Sequence, residues 1–79
     1  MPPKLKPLPA REVIRRLKKA GFVEERQRGS HLRLWRESDR KMVIVPIHPG
    51  DIPKGTLRGI IRDAGLTVEE FEKLNDGEG

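Results

Sequence analysis

A histidine, an arginine and a tryptophan alternate along one short stretch of the sequence, at His31, Arg33 and Trp35. In a β-strand these three side chains share one face, while Leu32 and Leu34 lie on the other. A histidine exchanges protons near neutral pH, an arginine binds phosphate through paired hydrogen bonds, and an indole provides a stacking surface. The alternation therefore predicts a strand face suited to RNA, and we expect no metal site on it.

The residues before this strand, Arg28, Gly29 and Ser30, have the composition of a tight turn. Glycine adopts backbone angles that are closed to other residues, and serine favours turns through local hydrogen bonds. The strand is therefore expected to begin at His31. We interpret the turn and the strand together as the working edge of a small sheet.

The chain has 79 residues, enough for one domain with a thin apolar core, and it contains no cysteine. A disulfide framework and a thiolate metal site are therefore excluded, which fits a reducing compartment. No apolar run approaches the ~20 residues of a membrane span, and the N-terminal residues lack a signal-peptide core. We expect a cytoplasmic protein with no membrane contact and no small-molecule cofactor.

Positive charge is concentrated in the first part of the chain. Residues 1–62 contain 16 of the 17 Lys and Arg against 6 acidic residues, a balance of +10, whereas residues 63–79 have a balance of −5. A field of positive sign attracts phosphate backbones and speeds encounter with nucleic acid. A charge-rich surface of a heat-stable protein would show a similar excess, so charge alone does not decide between the two.

The termini differ in composition from the middle of the chain. Residues 1–8 combine three prolines with two lysines, which predicts a flexible basic tail. A single domain is expected over residues 9–74, and residues 75–79 are expected to form a flexible C-terminus.

Two stretches have the apolar spacing of amphipathic helices. The first begins at Pro9 and is ended by Gly21, and its basic residues are expected on a solvated face. The second follows Pro53 and is ended by Gly65. Its first turn carries Lys54, Thr56 and Arg58 beside unpaired backbone N–H groups, which predicts a phosphate site.

Three short strands are expected between these helices, over residues 22–28, 31–36 and 42–45. A four-residue polar loop joins the last two, and Pro46 ends the third because it cannot donate to a sheet. Either Val43 and Val45 or the alternate residues face the helices, since sequence does not determine that register. A capping box at residues 67–70 begins a short third helix.

The resulting order predicts an α+β fold in two layers. Two helices cover one face of a three-stranded antiparallel sheet in an α-β-β-β-α arrangement, and a short C-terminal helix follows.

Four segments, in this order and spacing, resemble the HicA (YcfA-like) mRNA interferase toxins. They span about residues 9–66 and comprise Lys19-Ala20-Gly21-Phe22, Arg26-Gln27-Arg28-Gly29-Ser30-His31, Val43-Ile44-Val45-Pro46 with His48-Pro49-Gly50, and Pro53-Lys54-Gly55-Thr56-Leu57-Arg58 through Ala64-Gly65. The resemblance implies a fold like the double-stranded RNA-binding domain, cleavage of mRNA without the ribosome, and neutralisation by a HicB-type antitoxin. It places the family's catalytic histidine at His31. Many members have a second histidine where this sequence has Leu32.

The chemistry of the residues agrees with that implication. Attack of an RNA 2′-hydroxyl on the neighbouring phosphate needs proton transfer near neutral pH and positive charge, and it needs no metal. We predict that His31 transfers the proton. The predicted RNA-binding residues are Arg28, Gly29, Ser30, Arg33, Trp35, His48, Lys54, Thr56 and Arg58.

His48 and Trp35 have alternative interpretations, and so does the function of the chain. His48 precedes Pro49-Gly50 and could shape a turn, and Trp35 could lie at a sheet edge or an antitoxin interface instead of stacking on bases. The main alternative function is a non-catalytic RNA-binding module, which needs the basic surface but not His31. A protein-interaction domain would instead show no salt-dependent affinity for RNA.

Overall fold

The computed structural model describes residues 5–75 of the chain. Five strands and three helices follow one another in this part. In chain order they are β1 (Leu8–Pro9), α1 (Ala10–Lys19), β2 (Val23–Arg28), β3 (His31–Arg36), β4 (Lys41–Pro46), β5 (Asp51–Ile52), α2 (Lys54–Asp63) and α3 (Val68–Lys73).

Strands β2, β3 and β4 form an antiparallel sheet with β3 in the centre. Gly29 and Ser30 make the two-residue turn between β2 and β3, and Gly29 has a φ of 59° there. A positive φ at the first turn position favours glycine, as in hairpin turns of type II′. The predicted α+β fold with a three-stranded antiparallel sheet and a short C-terminal helix is confirmed.

The sheet buries one face under α1 and α2. Leu32 and Leu34 of β3 and Val43 and Val45 of β4 are buried, whereas Ile44 is exposed. The structure thus determines the register of β4 that the sequence left open. Burial of these alternating side chains against the helices supplies the main apolar stabilisation of so small a domain.

The helix boundaries agree with the predicted caps to within one residue. Pro9 is the N-cap of α1, so the helix begins at Ala10. Gly21 and Gly65 have φ values of 100° and 75° after α1 and α2, as expected for glycines that end helices. Thr67 and Glu70 form the predicted capping box of α3.

The prediction of a flexible tail over residues 1–8 does not apply to Leu5 and Leu8. Leu5 is buried in the core, and Leu8 of β1 pairs with Ile52 of β5. Burial of Leu5 and partial burial of Leu8 outweigh the mobility that the surrounding prolines suggested. The rest of this prediction concerns residues 1–4, and most of the predicted flexible C-terminus concerns residues 76–79, which lie outside the described residues.

The prediction that the basic residues of α1 are solvated is wrong for Arg16. Its side chain is buried, its guanidinium lies 5.0 Å from the ring centre of Phe71, and its Nε donates to Glu12 Oε2 at 2.7 Å. Phe71 of α3 is itself fully buried. Helix α3 is therefore an integral part of the packed layer.

Arg36, the last residue of β3, joins the ends of two helices. Its Nη1 donates to the carbonyl of Ala20 at 2.7 Å, and its Nη2 donates to the carbonyl of Ala64 at 3.0 Å. The guanidinium also lies 4.5 Å from the ring centre of Phe22 and binds Asp39. Helices α1 and α2 consequently both end near the same end of β3. Within residues 5–75, no helix is long and apolar enough to cross a membrane.

Candidate functional site

The face of the sheet that points away from the helices, here called the open face, carries three rows of side chains. Each row takes one residue from each strand, in the order β2, β3, β4. The rows are Val23-Trp35-Met42, Arg26-Arg33-Ile44 and Arg28-His31-Pro46. The open face is therefore apolar at one end and basic at the other, with His31 in the basic end.

A β-bulge in β2 shapes the middle of the open face. The pairing with β3 shifts between Glu24 and Arg26, so Glu25 is the extra residue. The carboxylate of Glu25 pairs with Arg33 Nε at 2.8 Å, whereas that of Glu24 pairs with Lys18 of α1 at 2.6 Å. Because bulges re-aim side chains, these neighbouring glutamates reach opposite sides of the sheet.

The basic end of the open face contains a depression of about 410 Å³. It is lined by Arg26, Arg28, His31, Arg33 and Ile44. Three of these residues, Arg28, His31 and Arg33, were predicted site residues, and the structure brings them together. Arg26 was missed although it lies two residues before Arg28 in the regular part of β2, so the alternation of the strand places both on the same face.

His31 is exposed at the first position of β3. Its side chain makes no hydrogen bond or ion pair with any of residues 5–75. The backbone around it is firmly held, because His31 pairs with Arg28 on one side and with Pro46 on the other. A rigid strand thus presents an unpaired imidazole between arginines.

Trp35 shares the open face with His31, as predicted, but it lies in the apolar row and does not line the depression. Its Nε1 donates to Glu37 Oε1 at 2.9 Å, and the side chain is partly buried. Val23, Met42 and Ile44 are exposed by 59%, 39% and 42% beside it. An indole flanked by exposed apolar side chains is typical of a surface that another molecule covers.

The predicted phosphate site at the start of α2 lies in the helix layer. Lys54, Thr56 and Arg58 are exposed there, and Pro53 provides no side-chain cap for the helix. They do not line the depression. Since α2 ends near Arg36, its N-terminus lies towards the end of the sheet where β3 begins, as His31 does.

His48 is exposed in the loop that follows β4. The adjacent Ile47 donates its backbone N–H to the carbonyl of Ser30 at 2.6 Å, which ties this loop to the β2–β3 turn. His48 therefore lies at the same end of the sheet as His31, although it does not line the depression. Within residues 5–75, no group of three or more His, Asp or Glu side chains is arranged to hold a metal ion.

Two carboxyl groups have lowered pKa values, and both lie away from the depression. Hydrogen bonds from Arg15 and Arg16 lower the pKa of Glu12 to about 2, and the bond from Arg15 is the larger cause. The hydrogen bond from Arg36 lowers the pKa of Asp39 in the β3–β4 loop. The charged carboxylates of Glu12 and Asp39 are therefore stabilised by arginines that lie outside the depression.

The chain is a small α+β domain whose open sheet face has a cluster of arginines at one end. The comparison with protein families goes further. The family described as "HicA toxin of bacterial toxin-antitoxin" matches residues 10–66. The match covers well over half of the chain, so this chain belongs to the HicA toxin family, and an antitoxin partner is implied. No curated protein matches the chain.

Proposed function

We propose that the chain is a metal-independent endoribonuclease that cleaves mRNA, with His31 as a proton-transfer group. It would act in the cytoplasm as the toxin of a type II toxin–antitoxin system and contribute to a stress response. The proposal joins the family membership to the arrangement of side chains at the basic end of the open face.

The observation that carries the proposal is an exposed histidine inside a depression lined by three arginines. Transfer of an RNA phosphate to its neighbouring 2′-hydroxyl requires a proton to be taken from one oxygen and given to another. It also builds negative charge on the phosphate, which guanidinium groups stabilise. His31 supplies a proton-transfer group and the arginines beside it supply positive charge, and neither role needs a metal ion.

Arg26 and Arg28 are the strongest candidates for phosphate contacts. Neither forms an ion pair with any of residues 5–75, whereas Arg33 is paired with Glu25. An unpaired guanidinium is free to meet a phosphate with two parallel hydrogen bonds. RNA is therefore proposed to enter the depression across the β2 edge of the sheet.

The other predicted RNA-binding residues extend this path around the end of the sheet. Gly29 and Ser30 form the turn next to His31, and His48 lies in the loop tied to that turn. The start of α2, with Lys54, Thr56 and Arg58, adds exposed donors on the helix layer. Trp35 offers a stacking surface at the opposite, apolar end of the open face.

We further propose that the antitoxin is of the HicB type and covers the open face. Such a partner would bury the exposed row of Val23, Trp35 and Met42 together with Ile44, and would close access to His31. Trp35 fluorescence should change when the complex forms. A complex in which His31 stays open to solvent would contradict this mode of inhibition.

The test of the cleavage proposal is the His31→Ala variant. We expect RNA degradation in buffer containing a chelator to fall by ~10²–10⁴-fold, the usual contribution of one proton-transfer group. Growth arrest on induced expression should be lost in parallel. Stability should change by less than ~0.5 kcal/mol, because the side chain is exposed and has no partner among the described residues.

The same variant controls for contaminating nucleases, because it is purified in the same way as the wild type. Degradation by His31→Ala at the wild-type rate would contradict the proposal, and so would loss of wild-type cleavage in EDTA. Salt-dependent RNA binding by a wild type that does not cleave would favour the non-catalytic RNA-binding module. Absence of RNA binding would favour a protein-interaction domain.

A further inference from the structure

Cleavage of RNA by its own 2′-hydroxyl needs two proton transfers on opposite sides of the phosphate. A base takes the proton of the attacking 2′-hydroxyl, and an acid gives a proton to the departing 5′-oxygen. One imidazole cannot occupy both positions in the same step. The cleavage proposed above therefore calls for a second group on the open face.

We infer that Glu25 is this second catalytic residue, acting as the general base while His31 acts as the general acid. The inference rests on the proposed endoribonuclease function and assigns the roles within that site. Strands β2, β3 and β4 contain two carboxylates, Glu24 and Glu25, and only the second is directed to the open face.

The β-bulge directs Glu25 to the open face, where the carboxylate does not itself line the depression but pairs with Arg33, which does. Without the extra residue, β2 would alternate regularly, and a residue next to Arg26 would face the helices. The register shift between Glu24 and Arg26 removes that constraint and lets Glu25 reach Arg33 on the open face. Bulges occur preferentially beside active sites, where they re-aim one side chain.

Arg33 pairs with the carboxylate of Glu25 and shares a strand face with His31. It lies on the same face of β3 as His31 and two residues along the strand, a Cα spacing of roughly 7 Å. Arg33 contacts Glu25 through Nε, which leaves the donors of its terminal nitrogens for a phosphate. A phosphate held by Arg33 would thus have Glu25 as a neighbour and His31 within reach.

Glu25 and Arg33 are accessible enough for Glu25 to act as a base on bound RNA. The side chains of Glu25 and Arg33 are 46% and 45% exposed, so a bound nucleotide can approach both. The ion pair with Arg33 orients the carboxylate, which is a proton-accepting group. An imidazole can donate a proton as well as accept one, which suits His31 to the donor role.

The carboxylate of Glu25 accepts the proton of the 2′-hydroxyl, and the 2′-oxygen forms a bond to phosphorus. The bond between phosphorus and the 5′-oxygen breaks, and the 5′-oxygen takes its proton from the His31 imidazolium. The products are a 2′,3′-cyclic phosphate and a 5′-hydroxyl, and no metal, oxidant or further reactant takes part.

The first experiment compares Glu25→Gln with Glu24→Gln. The two residues are adjacent in β2 and both are in exposed ion pairs, but they lie on opposite sides of the sheet. We expect kcat for RNA cleavage to fall by ~10²–10⁴-fold in Glu25→Gln and to stay within about twofold of wild type in Glu24→Gln. Circular dichroism and thermal melting of each variant show whether it is folded.

The second experiment separates the base from the acid. It uses an RNA oligonucleotide with sulfur in place of the bridging 5′-oxygen at a site that the wild type cleaves. A thiolate departs without being protonated, since thiols are far more acidic than alcohols. The defect of His31→Ala should therefore shrink to less than about tenfold on this substrate, whereas the defect of Glu25→Gln should persist.

Each outcome has one meaning. Wild-type cleavage by folded Glu25→Gln, on either substrate, would overturn the base assignment and leave cleavage by His31 standing. Recovery of Glu25→Gln instead of His31→Ala on the sulfur substrate would overturn it by reversing the roles. A wild type that cleaves neither substrate would contradict the proposed function itself, and the inference with it.

Discussion

Two pairs of arginines show how differently one residue type is used in the two faces of this domain. Arg16 and Arg36 lie in the helix-covered part, where aromatic rings, carboxylates and helix-end carbonyls surround them. Arg26 and Arg28 lie on the open face, line the depression and form no ion pair with any of residues 5–75. The first pair holds the fold together, and the second pair is available to a ligand.

The positive charge of the chain is therefore an unreliable guide to where the proposed RNA-binding surface lies. The excess of +10 over residues 1–62 includes Arg16, Arg36 and Lys18, whose charges are matched inside the domain. What distinguishes the basic end of the open face is a local group of arginines around His31. Four sets of substitutions test this division, and they are given in order of decreasing effect.

Arg36→Ala should have the largest effect on stability. Two carbonyls at helix ends lose charge-assisted hydrogen bonds, and Phe22 loses the stacked guanidinium, so we expect a loss of about 3 kcal/mol. Urea unfolding followed by circular dichroism measures it. Arg33→Ala, on the same strand, should cost under ~0.5 kcal/mol because its ion pair is exposed. Equal losses in the two variants would contradict the division between packed and available arginines.

Arg16→Ala should cost about 2 kcal/mol, because the buried side chain packs against Phe71 and binds Glu12. Arg16→Met is the informative companion variant. The Nη1 atom of Arg16 is buried without a hydrogen-bond partner, so an apolar side chain of similar length should restore stability to within ~1 kcal/mol of wild type. If both variants were equally destabilised, the charge of Arg16 and not its packing would be what stabilises the fold.

Arg26→Ala and Arg28→Ala should change RNA binding and leave stability unchanged. Each should weaken affinity by about 1 kcal/mol, roughly fivefold, and reduce the salt dependence by about one phosphate contact. Binding is measured in the His31→Ala background, so that the RNA stays intact. Arg62→Ala is the control, because Arg62 is exposed on α2 in the other layer. An equal loss of affinity in the control would mean that overall charge, and not the open face, determines binding.

Glu12→Gln should have the smallest effect, and the stability of the variant should differ from that of wild type most near neutral pH and least in acid. The folded-state pKa of Glu12 is lowered from 4.5 to about 2, so its charged form contributes stability above pH ~4.5 that is lost as the pH falls towards 2. Melting temperatures of the variant should therefore fall less than those of wild type between pH 6 and pH 3. An unchanged acid slope would show that the Arg15 and Arg16 hydrogen bonds to Glu12 contribute little to folding.

Much of the fold could be predicted from the sequence because its signals are local. The glycines that end α1 and α2, the Gly29-Ser30 turn and the capping box each act within a few residues, and the structure contains all of them. The order of helices and strands follows from apolar spacing in the same way. The pairing of β1 with β5 was missed, because each strand has only two residues and the two strands are far apart in the sequence.

The candidate site was predictable to a similar extent. His31, Arg33 and Trp35 share the open face because β3 alternates regularly, and Arg28 joins them because a two-residue turn sets the pairing of β2 with β3. Arg26 was predictable in the same way, because it lies two residues before Arg28 on the same face, but it was missed. Glu25 was missed because a β-bulge changes the alternation and leaves no mark in residue types.

The order of elements, their caps and turns, and the exposed face of β3 follow from the sequence, since each depends on neighbours along the chain. Packing of the helices on the sheet determines which arginines are buried, which residues of β4 face the helices, and where Glu25 is directed. Arg16 contacts Phe71, and Arg36 contacts Ala64, although long stretches of chain separate the members of each pair. Contacts of this kind exist only after the helices have packed on the sheet.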